Sequence, residues 1–497
     1  MSAATRSTFA ETNVSAGLHR PFTLANVDPH WLFKGALFLI LFNVIVDIRY
    51  TPAAPFGDVS SLKQTVMAGA DGSAGRQFLY LGIFLFTAAL GFLHQRERVF
   101  TALAFPYHVA CVWCLMSFAW AIHPGISFRR ALGMYIILQA TCICIQGIGV
   151  KATLETVRAF LMAVITVSLA SVLLSRVSLF AFAVHPTNEA DTSLIGAWRG
   201  VMMHKNVAGA VMTHATIVFL HFGLNRRRVI DFVFLALALL FLVGTKSKTS
   251  IALDGFILAA GLTYRVLFAR PGGRRAFLTL LASVTVCAGI LAIVQSDRLY
   301  AFFTSPGNLS GRIAIWQSLL GYIGKHIWFG SGYGSFWAIG GDSPIFSLAT
   351  KDFVRDIGHS HSGYFEILLS TGLIGLVLAV IALVIWPAMQ LLAAEPARSR
   401  VFAMCFSTWL FGVLQNLTES QFFSPDKQSW IFVVVAICVI KNYVPERLNA
   451  GRRFALPRTS GSADTGHRRA APATGDRPAT YTEGIATATN NGRLSPT

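Results

Sequence analysis

The stretch 226–275, RRRVIDFVFLALALLFLVGTKSKTSIALDGFILAAGLTYRVLFARPGGRR, decides the class of the fold. Two apolar runs, 229–244 and 250–268, flank the polar turn Thr245-Lys246-Ser247-Lys248-Thr249-Ser250. Arg226, Arg227 and Arg228 stand before the first run, and Arg270, Arg274 and Arg275 follow the second. The hydrocarbon core of a bilayer takes about 20 apolar residues of helix. Each run therefore reads as one crossing, the first a short one. Cytoplasmic loops carry an excess of Lys and Arg, so the two arginine triplets mark the cytoplasmic ends and the turn between them faces outward.

The same alternation extends in both directions. Twelve apolar segments are found near 31–48, 78–93, 99–121, 131–149, 155–180, 207–223, 229–244, 250–268, 276–296, 363–391, 401–416 and 429–441. Of the 497 residues 54% are hydrophobic and 13% charged, against roughly 25% charged in a soluble domain. The expected fold is an all-α integral membrane protein of about twelve transmembrane helices. Its parts are a polar cytoplasmic N-terminus over 1–28, a transmembrane domain over 29–442 and a basic tail over 443–497. That tail is rich in Ala, Thr, Gly, Pro, Ser and Arg, cannot bury a core and reads as disordered. Residues 1–28 show no cleavable signal peptide.

A net charge of +18 would point to nucleic acid in a soluble protein. Here most of the cations fall in short gaps between apolar runs, and no nucleic-acid partner is implied. With the N-terminus inside, every inner loop is basic: Arg96 and Arg98; Lys151 and Arg158; Arg226 to Arg228; Arg270, Arg274 and Arg275; Arg398 and Arg400; Lys441, Arg447, Arg452 and Arg453. Both termini are then cytoplasmic. The largest outer loop spans about 297–362, has no evident periodic helix, and holds Trp316, Trp328, Tyr333, Phe336 and Trp337. Aromatics at that density indicate a folded loop against the membrane surface. The seven cysteines all lie in apolar runs and read as packing residues.

Four outward clusters carry the polar chemistry. They are Arg199 with His204, Lys205 and Asn206; Lys246 with Lys248; Arg312 after Ser310-Gly311, followed by Gly330-Ser331-Gly332-Tyr333-Gly334; and His359-Ser360-His361-Ser362 leading to Glu366. Each cation alone reads as a headgroup contact. Five on the face that disfavours them, beside helix ends, form a candidate anion site. Arg grips phosphate through a planar fork and Lys as a point charge, and helix N-termini add backbone donors. His359, His361 and Glu366 are alternative bases, since His titrates near neutral pH and an acid embedded at the membrane is costly enough to mark function. The two His residues could also simply hold the loop by hydrogen bonds. Without a third ligand or a DxD pair, no metal is expected. Asp47, Asp231 and Asp254 read as interfacial residues. The chain has no GxxxxGK[ST] or GxSxG element, which excludes an ATP-driven pump of the P-loop kind and a serine-hydrolase elbow.

Several of these elements resemble the O-antigen ligase and polysaccharide polymerase family of membrane glycosyltransferases. RGVMMHKN resembles its Arg-Gly-x-x-x-His-Lys-Asn element, TKSKTS its Thr-x-Ser-Arg/Lys turn, and SGRIAIW the Ser-Gly-Arg-x-x-x-Trp start of its large loop. GSGYGSF is similar to the following Gly-x-Gly-x-x-x-Phe, HSHSGYFEILLSTGLIGL to the His-x-His-Asn element with its helix, and NLTES, at Asn416 to Ser420, to a further outer element. The matches run in order from about 198 to 420, with Ser362 where the pattern often has Asn; the Lys-rich turn is closest to the exopolysaccharide-polymerase branch. The resemblance implies inverting transfer of a glycan from an undecaprenyl-diphosphate-linked donor to a glycan or lipid-linked glycan acceptor, at the periplasmic face of a bacterial inner membrane. It implies no metal or other cofactor. A chain-length regulator and a flippase, besides membrane lipid, are the partners such a system would have. Arg199, Arg312, His359, His361 and Glu366 would be catalytic, while His204, Lys205, Asn206, Lys246, Lys248, Asn416 and Glu419 would bind the substrate or its diphosphate. A polysaccharide or lipid-linked glycan transporter, and a non-enzymatic assembly scaffold, are the competing expectations.

Overall fold

A computed structural model describes residues 29–46, 74–95, 101, 103–187, 192, 194–305, 311–349, 351–355, 357–424 and 427–443. All belong to one compact unit, 1–445. The polar N-terminus, Asp47, the inner-loop Arg96 and Arg98, Ser310 and the tail from 444 onward lie outside the described residues.

Among the described residues the secondary structure is helical, with no strand beyond two isolated bridges. We number the helices α1 (Pro29–Ile45), α2 (Ala74–Gln95), α3 (Phe105–Met116), α4 (Pro124–Leu173), α5 (Lys205–Arg226), α6 (Val229–Gly244), α7 (Lys248–Phe268) and α8 (Gly273–Val294). Then come α9 (Ser296–Thr304), α10 (Arg312–Lys325), α11 (Ile345–Leu348), α12 (Asp352–Arg355), α13 (Gly363–Leu392), α14 (Ser399–Gln415) and α15 (Gln428–Asn442). Six of them are long and apolar enough to cross a membrane, and four shorter helices are also apolar. This is a helical membrane protein. Each predicted segment falls on a helix, and two of them, 131–149 and 155–180, share α4. As a straight rod α4 would run about 75 Å, more than twice the roughly 30 Å hydrocarbon core. Gly149, at φ 75° and ψ 163°, interrupts it, a conformation costly for any residue with a Cβ.

Contacts at the helix termini define two polar ends. At one, Arg226 meets Glu155 at 2.6 Å, Arg158 meets the buried Asp231 at 2.5 Å, and Arg265 donates to Asn225 at 2.6 Å. These are loops read as cytoplasmic. The opposite ends of α5, α7, α13 and α14 meet at the site described below. Asp254 departs from expectation. It lies inside α7, buried, and accepts from the Thr216 hydroxyl on α5 at 2.6 Å, so it ties two helices within the bundle rather than lying at an interface.

The large loop is not helix-free. It contains α9 to α12, and Ala314, Ile315, Leu319 and Ile323 of α10 pack with Phe336, Trp337 and Ile345 into a small core of their own. Arg130 of α4 holds its glycine-rich part by donating to the carbonyls of Gly334 at 2.5 Å, Trp337 at 2.9 Å and Ala338 at 2.9 Å. The loop also enters α13. At Gly372, φ 71° and ψ −173°, that helix breaks. Leu373 then donates to Ile327 at 2.7 Å, and Ser331 donates to Leu369 at 3.0 Å. A π-helical turn, Ile381–Ile385, precedes Pro387, which has no N–H to give to the helix ladder. By contrast α8 lies outside the core: the apolar window of this helix is 0% buried.

Candidate active site

Three short-range features shape the site end. His204 caps α5 by accepting the Asn206 N–H at 3.2 Å. Ser362 caps α13 by accepting the Phe365 N–H at 3.5 Å. Ser and Asn are both good N-caps, so an Asn could cap the helix here as Ser362 does. Gly363 must be glycine for a steric reason, because a Cβ there would stand 2.0 Å from Asn416 Oδ1.

Glu419 is where the separate elements meet. Its Oε1 accepts from Arg312 Nη2 at 2.8 Å and from Asn206 Nδ2 at 3.2 Å, while its Oε2 faces His361 Nδ1 at 3.6 Å. Arg312 Nε also donates to Thr418 O at 2.8 Å, and the Ser247 hydroxyl donates to Asn206 Oδ1 at 3.4 Å. Residues from α5, from the α6–α7 turn, from α10 and from the turn after α14 are thus one hydrogen-bonded group, with His361 of the segment before α13 beside it. Burial alone would raise the Glu419 carboxyl. His361, Arg312 and Lys427 outweigh it, and the group sits below the usual carboxylate range, ionised at neutral pH.

The three alternative bases separate by geometry. The Glu366 carboxylate accepts the Ser360 N–H at 2.8 Å and so holds the His-Ser-His segment to the first turn of α13. His359 Nδ1 accepts the His361 N–H at 3.2 Å, and the two rings pack at 4.0 Å. Burial pushes His359 well below the usual imidazole value, aided by Lys427, His361 and Arg312; it is neutral and weakly basic. His361 stands in the left-handed region at φ 54°, and its buried Nδ1 has no hydrogen-bond partner among the described residues. Trp316 completes the wall: its indole donates to Ser360 O at 2.9 Å, and its ring stacks on Phe365 at 5.3 Å.

The other candidates lie around this group. Asn416 is fully buried, and its Oδ1 accepts the N–H groups of Gln421 at 2.9 Å and Phe422 at 3.0 Å while Nδ2 donates to Gly412 O at 2.7 Å. Its amide shapes the turn that presents Glu419. Glu419 stands between Arg312 and His361. Arg199 donates to the carbonyls of Phe182 at 2.5 Å and Met203 at 3.3 Å, and Lys246 to Ile195 O at 3.1 Å; both grip the chain around 182–203. His204 is no cation, because burial and then neighbouring His185 push it down to about 4. Lys205 is buried, its N–H on His185 Nε2 at 3.3 Å, and Lys248 is exposed at the start of α7. Among the described residues no group of three His, Cys, Asp or Glu could hold a metal ion.

Two residues were missed by the sequence reading. Lys427, half-buried just before α15, lies within electrostatic range of His359, Glu366 and Glu419. His185 is buried with its ring 5.2 Å from that of His204. Lys427 was legible as one more outward cation; nothing in the local pattern around His185 marks it.

Residues 232–380 match the model of the O-antigen ligase family. This stretch covers α6 through most of α13 and so includes Lys246, Lys248, Arg312, His359, His361 and Glu366. The chain is also similar to the exopolysaccharide production protein ExoQ of Rhizobium meliloti (strain 1021), 28% identical over 148 residues. That similarity covers 29% of this chain and 34% of the relative, about a third of its length. The motifs' resemblance to the O-antigen ligase and polysaccharide polymerase family is therefore borne out, across the part of the chain that supplies Arg312 and the His-Ser-His segment to the site.

Proposed function

We propose that the protein is an inverting glycosyltransferase of a bacterial inner membrane, with the site end periplasmic and both termini cytoplasmic. It transfers glycan from an undecaprenyl-diphosphate-linked donor to a glycan or lipid-linked glycan acceptor, in exopolysaccharide or O-antigen synthesis. About twelve crossings, a periplasmic 297–362 loop, and exchange with a flippase and a chain-length regulator belong to the same reading. The observation that carries it is the meeting of Arg312, His361 and Asn206 on Glu419, three cluster residues from distant parts of the sequence at one end of a membrane bundle.

In this reading His361 is the base. Its Nε2 takes the proton of the acceptor hydroxyl, and the oxygen attacks the anomeric carbon from the side opposite the diphosphate. The bond from that carbon to the diphosphate oxygen breaks, and both electrons leave with the lipid diphosphate. Arg312 and Lys427 stabilise the charge that develops on it, as fixed cations do most effectively where water is excluded. His359 and Glu366 hold the segment that carries His361. Arg199, Lys205, Lys246 and Lys248 form the basic rim that draws the donor in.

The test is transfer by purified protein in lipid nanodiscs, supplied with a synthetic lipid-diphosphate oligosaccharide and read by mass spectrometry. Lengthened glycan and free lipid diphosphate are expected, undiminished by EDTA, and abolished by Arg312→Ala. Unchanged donor with folded protein would overturn the enzyme reading. His214, His221 and Asp254, buried inside the bundle, favour a second reading as a lipid-linked glycan transporter, since intramembrane ionisable groups line transport paths. Movement of intact donor across vesicles without new glycosidic bonds would select it.

A further inference from the structure

We propose that Glu419 is a positioning residue that ties donor binding to activation of His361: the donor diphosphate takes Arg312, and the released carboxylate closes on His361 Nδ1. The inference rests on the transferase reading above. Its basis is that one carboxylate faces two claimants. Arg312 holds it with a full charge-assisted hydrogen bond at 2.8 Å, supported by Nε on Thr418 O and by Asn206 on the same Oε1. His361 Nδ1 stands 3.6 Å from the other oxygen, beyond hydrogen-bond reach, and has no hydrogen-bond partner among the described residues although it is buried. A buried polar nitrogen left in this way is costly. The backbone is also held at φ 54°, a conformation that costs a non-glycine residue about 1–3 kcal/mol. The His361 N–H on His359 Nδ1 and the Glu366 carboxylate on the Ser360 N–H hold it there. The ring is thus kept close to a carboxylate that is engaged elsewhere.

A diphosphate is the ligand that can change this. It offers two negative groups to the planar guanidinium fork, a better match than one carboxylate oxygen. Arg312 that turns to the donor gives up Glu419 Oε1. The carboxylate stays ionised and needs to move by less than an ångström to accept the His361 Nδ1–H. That bond fixes the tautomer with Nε2 bare, the form able to take a proton, and stabilises the imidazolium that results, as the carboxylate does in a Ser-His-Asp triad. Before the donor arrives, His361 lacks this support, so donor binds productively before acceptor.

The expected consequence of Glu419→Gln is a split that a merely structural residue would not produce. The kcat falls about 10²-fold, the lower end of what a general base contributes. The KM for donor does not rise and is expected to fall, because Arg312 no longer has a carboxylate to leave. Glu419→Asp, a methylene shorter, keeps the charge and recovers only part of kcat. A second measurement uses no turnover. In protein labelled with 15N-histidine, added farnesyl diphosphate should bring out a low-field Nδ1–H proton signal, absent in Glu419→Gln and in His361→Gln. A raised donor KM with unchanged kcat in Glu419→Gln, or the same proton signal in that variant, overturns the proposal. If wild-type protein transfers no glycan yet shows the diphosphate-dependent signal, the transferase reading fails and the exchange at Glu419 stands.

Discussion

Asn416→Ala tests whether the turn after α14 is what holds Glu419 in place. The Asn416 side chain is fully buried, and its oxygen is the acceptor for two backbone N–H groups, those of Gln421 and Phe422. Truncation leaves both donors without that acceptor in a site where Gln421 and Phe422 are themselves buried. An unsatisfied buried group costs about 1–3 kcal/mol, so two cost about 2–6 kcal/mol, less whatever the turn recovers by relaxing towards water. The lost Nδ2 bond to Gly412 O at 2.7 Å adds to this. The bundle below is broad and apolar, and the penalty falls on the turn first, in keeping with the local opening of loops at a fraction of global stability. The assay is hydrogen exchange of the 416–424 segment in nanodiscs, with transfer activity measured on the same preparation. Faster exchange confined to this turn, and a loss of kcat approaching that of Glu419→Gln, are expected. Leu417→Ala, at a neighbouring side chain 52% exposed, should change neither. If Asn416→Ala keeps wild-type exchange and wild-type kcat, the turn does not depend on its amide, and the reasoning that assigns Asn416 to the scaffold is refuted.

Two further outcomes follow from the geometry. Gly372→Ala should destabilise the junction of loop and α13, because its backbone conformation costs a residue with a Cβ about 1–3 kcal/mol and the added carbon would stand 2.1 Å from Trp328 O; unaltered thermal stability would show that the loop does not enter the helix there. Lys427→Ala should raise the donor KM severalfold with steeper inhibition by salt, measured by transfer at graded ionic strength, and Lys427→Arg should restore it; an unchanged KM would remove Lys427 from the donor site.

Helix positions were readable because the apolar runs are long and the basic gaps regular, so lipid and charge impose the pattern residue by residue. Gly149 shows where this stops: a single glycine divides α4, and nothing in its immediate neighbours distinguishes it from Gly133 or Gly147 in the same helix. The α10 helix was hidden for a related reason. Its apolar residues pack into a small core made by Phe336, Trp337 and Ile345, and that periodicity is easily lost inside a long aromatic loop. The candidate site was legible as a set of residue types on one face, but not as an arrangement. Asn206, Arg312 and Glu419 lie more than a hundred residues apart in sequence at each step, and spacing says nothing about which of them touch. Glu419 was therefore read as a substrate ligand from its residue type alone, and its contacts with Arg312, Asn206 and His361 were not visible in the spacing.

The helix α8 stands apart from all of this. Its side chains face outward along the apolar window, so no complementary surface within the bundle dictates their shape. What selection can act on there is hydropathy and length. Past Phe277, whose ring packs on Tyr264, Phe268 and Phe406, leucine, isoleucine, valine and phenylalanine should be interchangeable over Leu278 to Val294, and a scrambled order of the same residues should serve as well as the natural one. Homologous proteins would then drift fastest in this segment while keeping its composition, and a fluorescent or cross-linking residue placed on it would report on the surrounding lipid without cost to the fold.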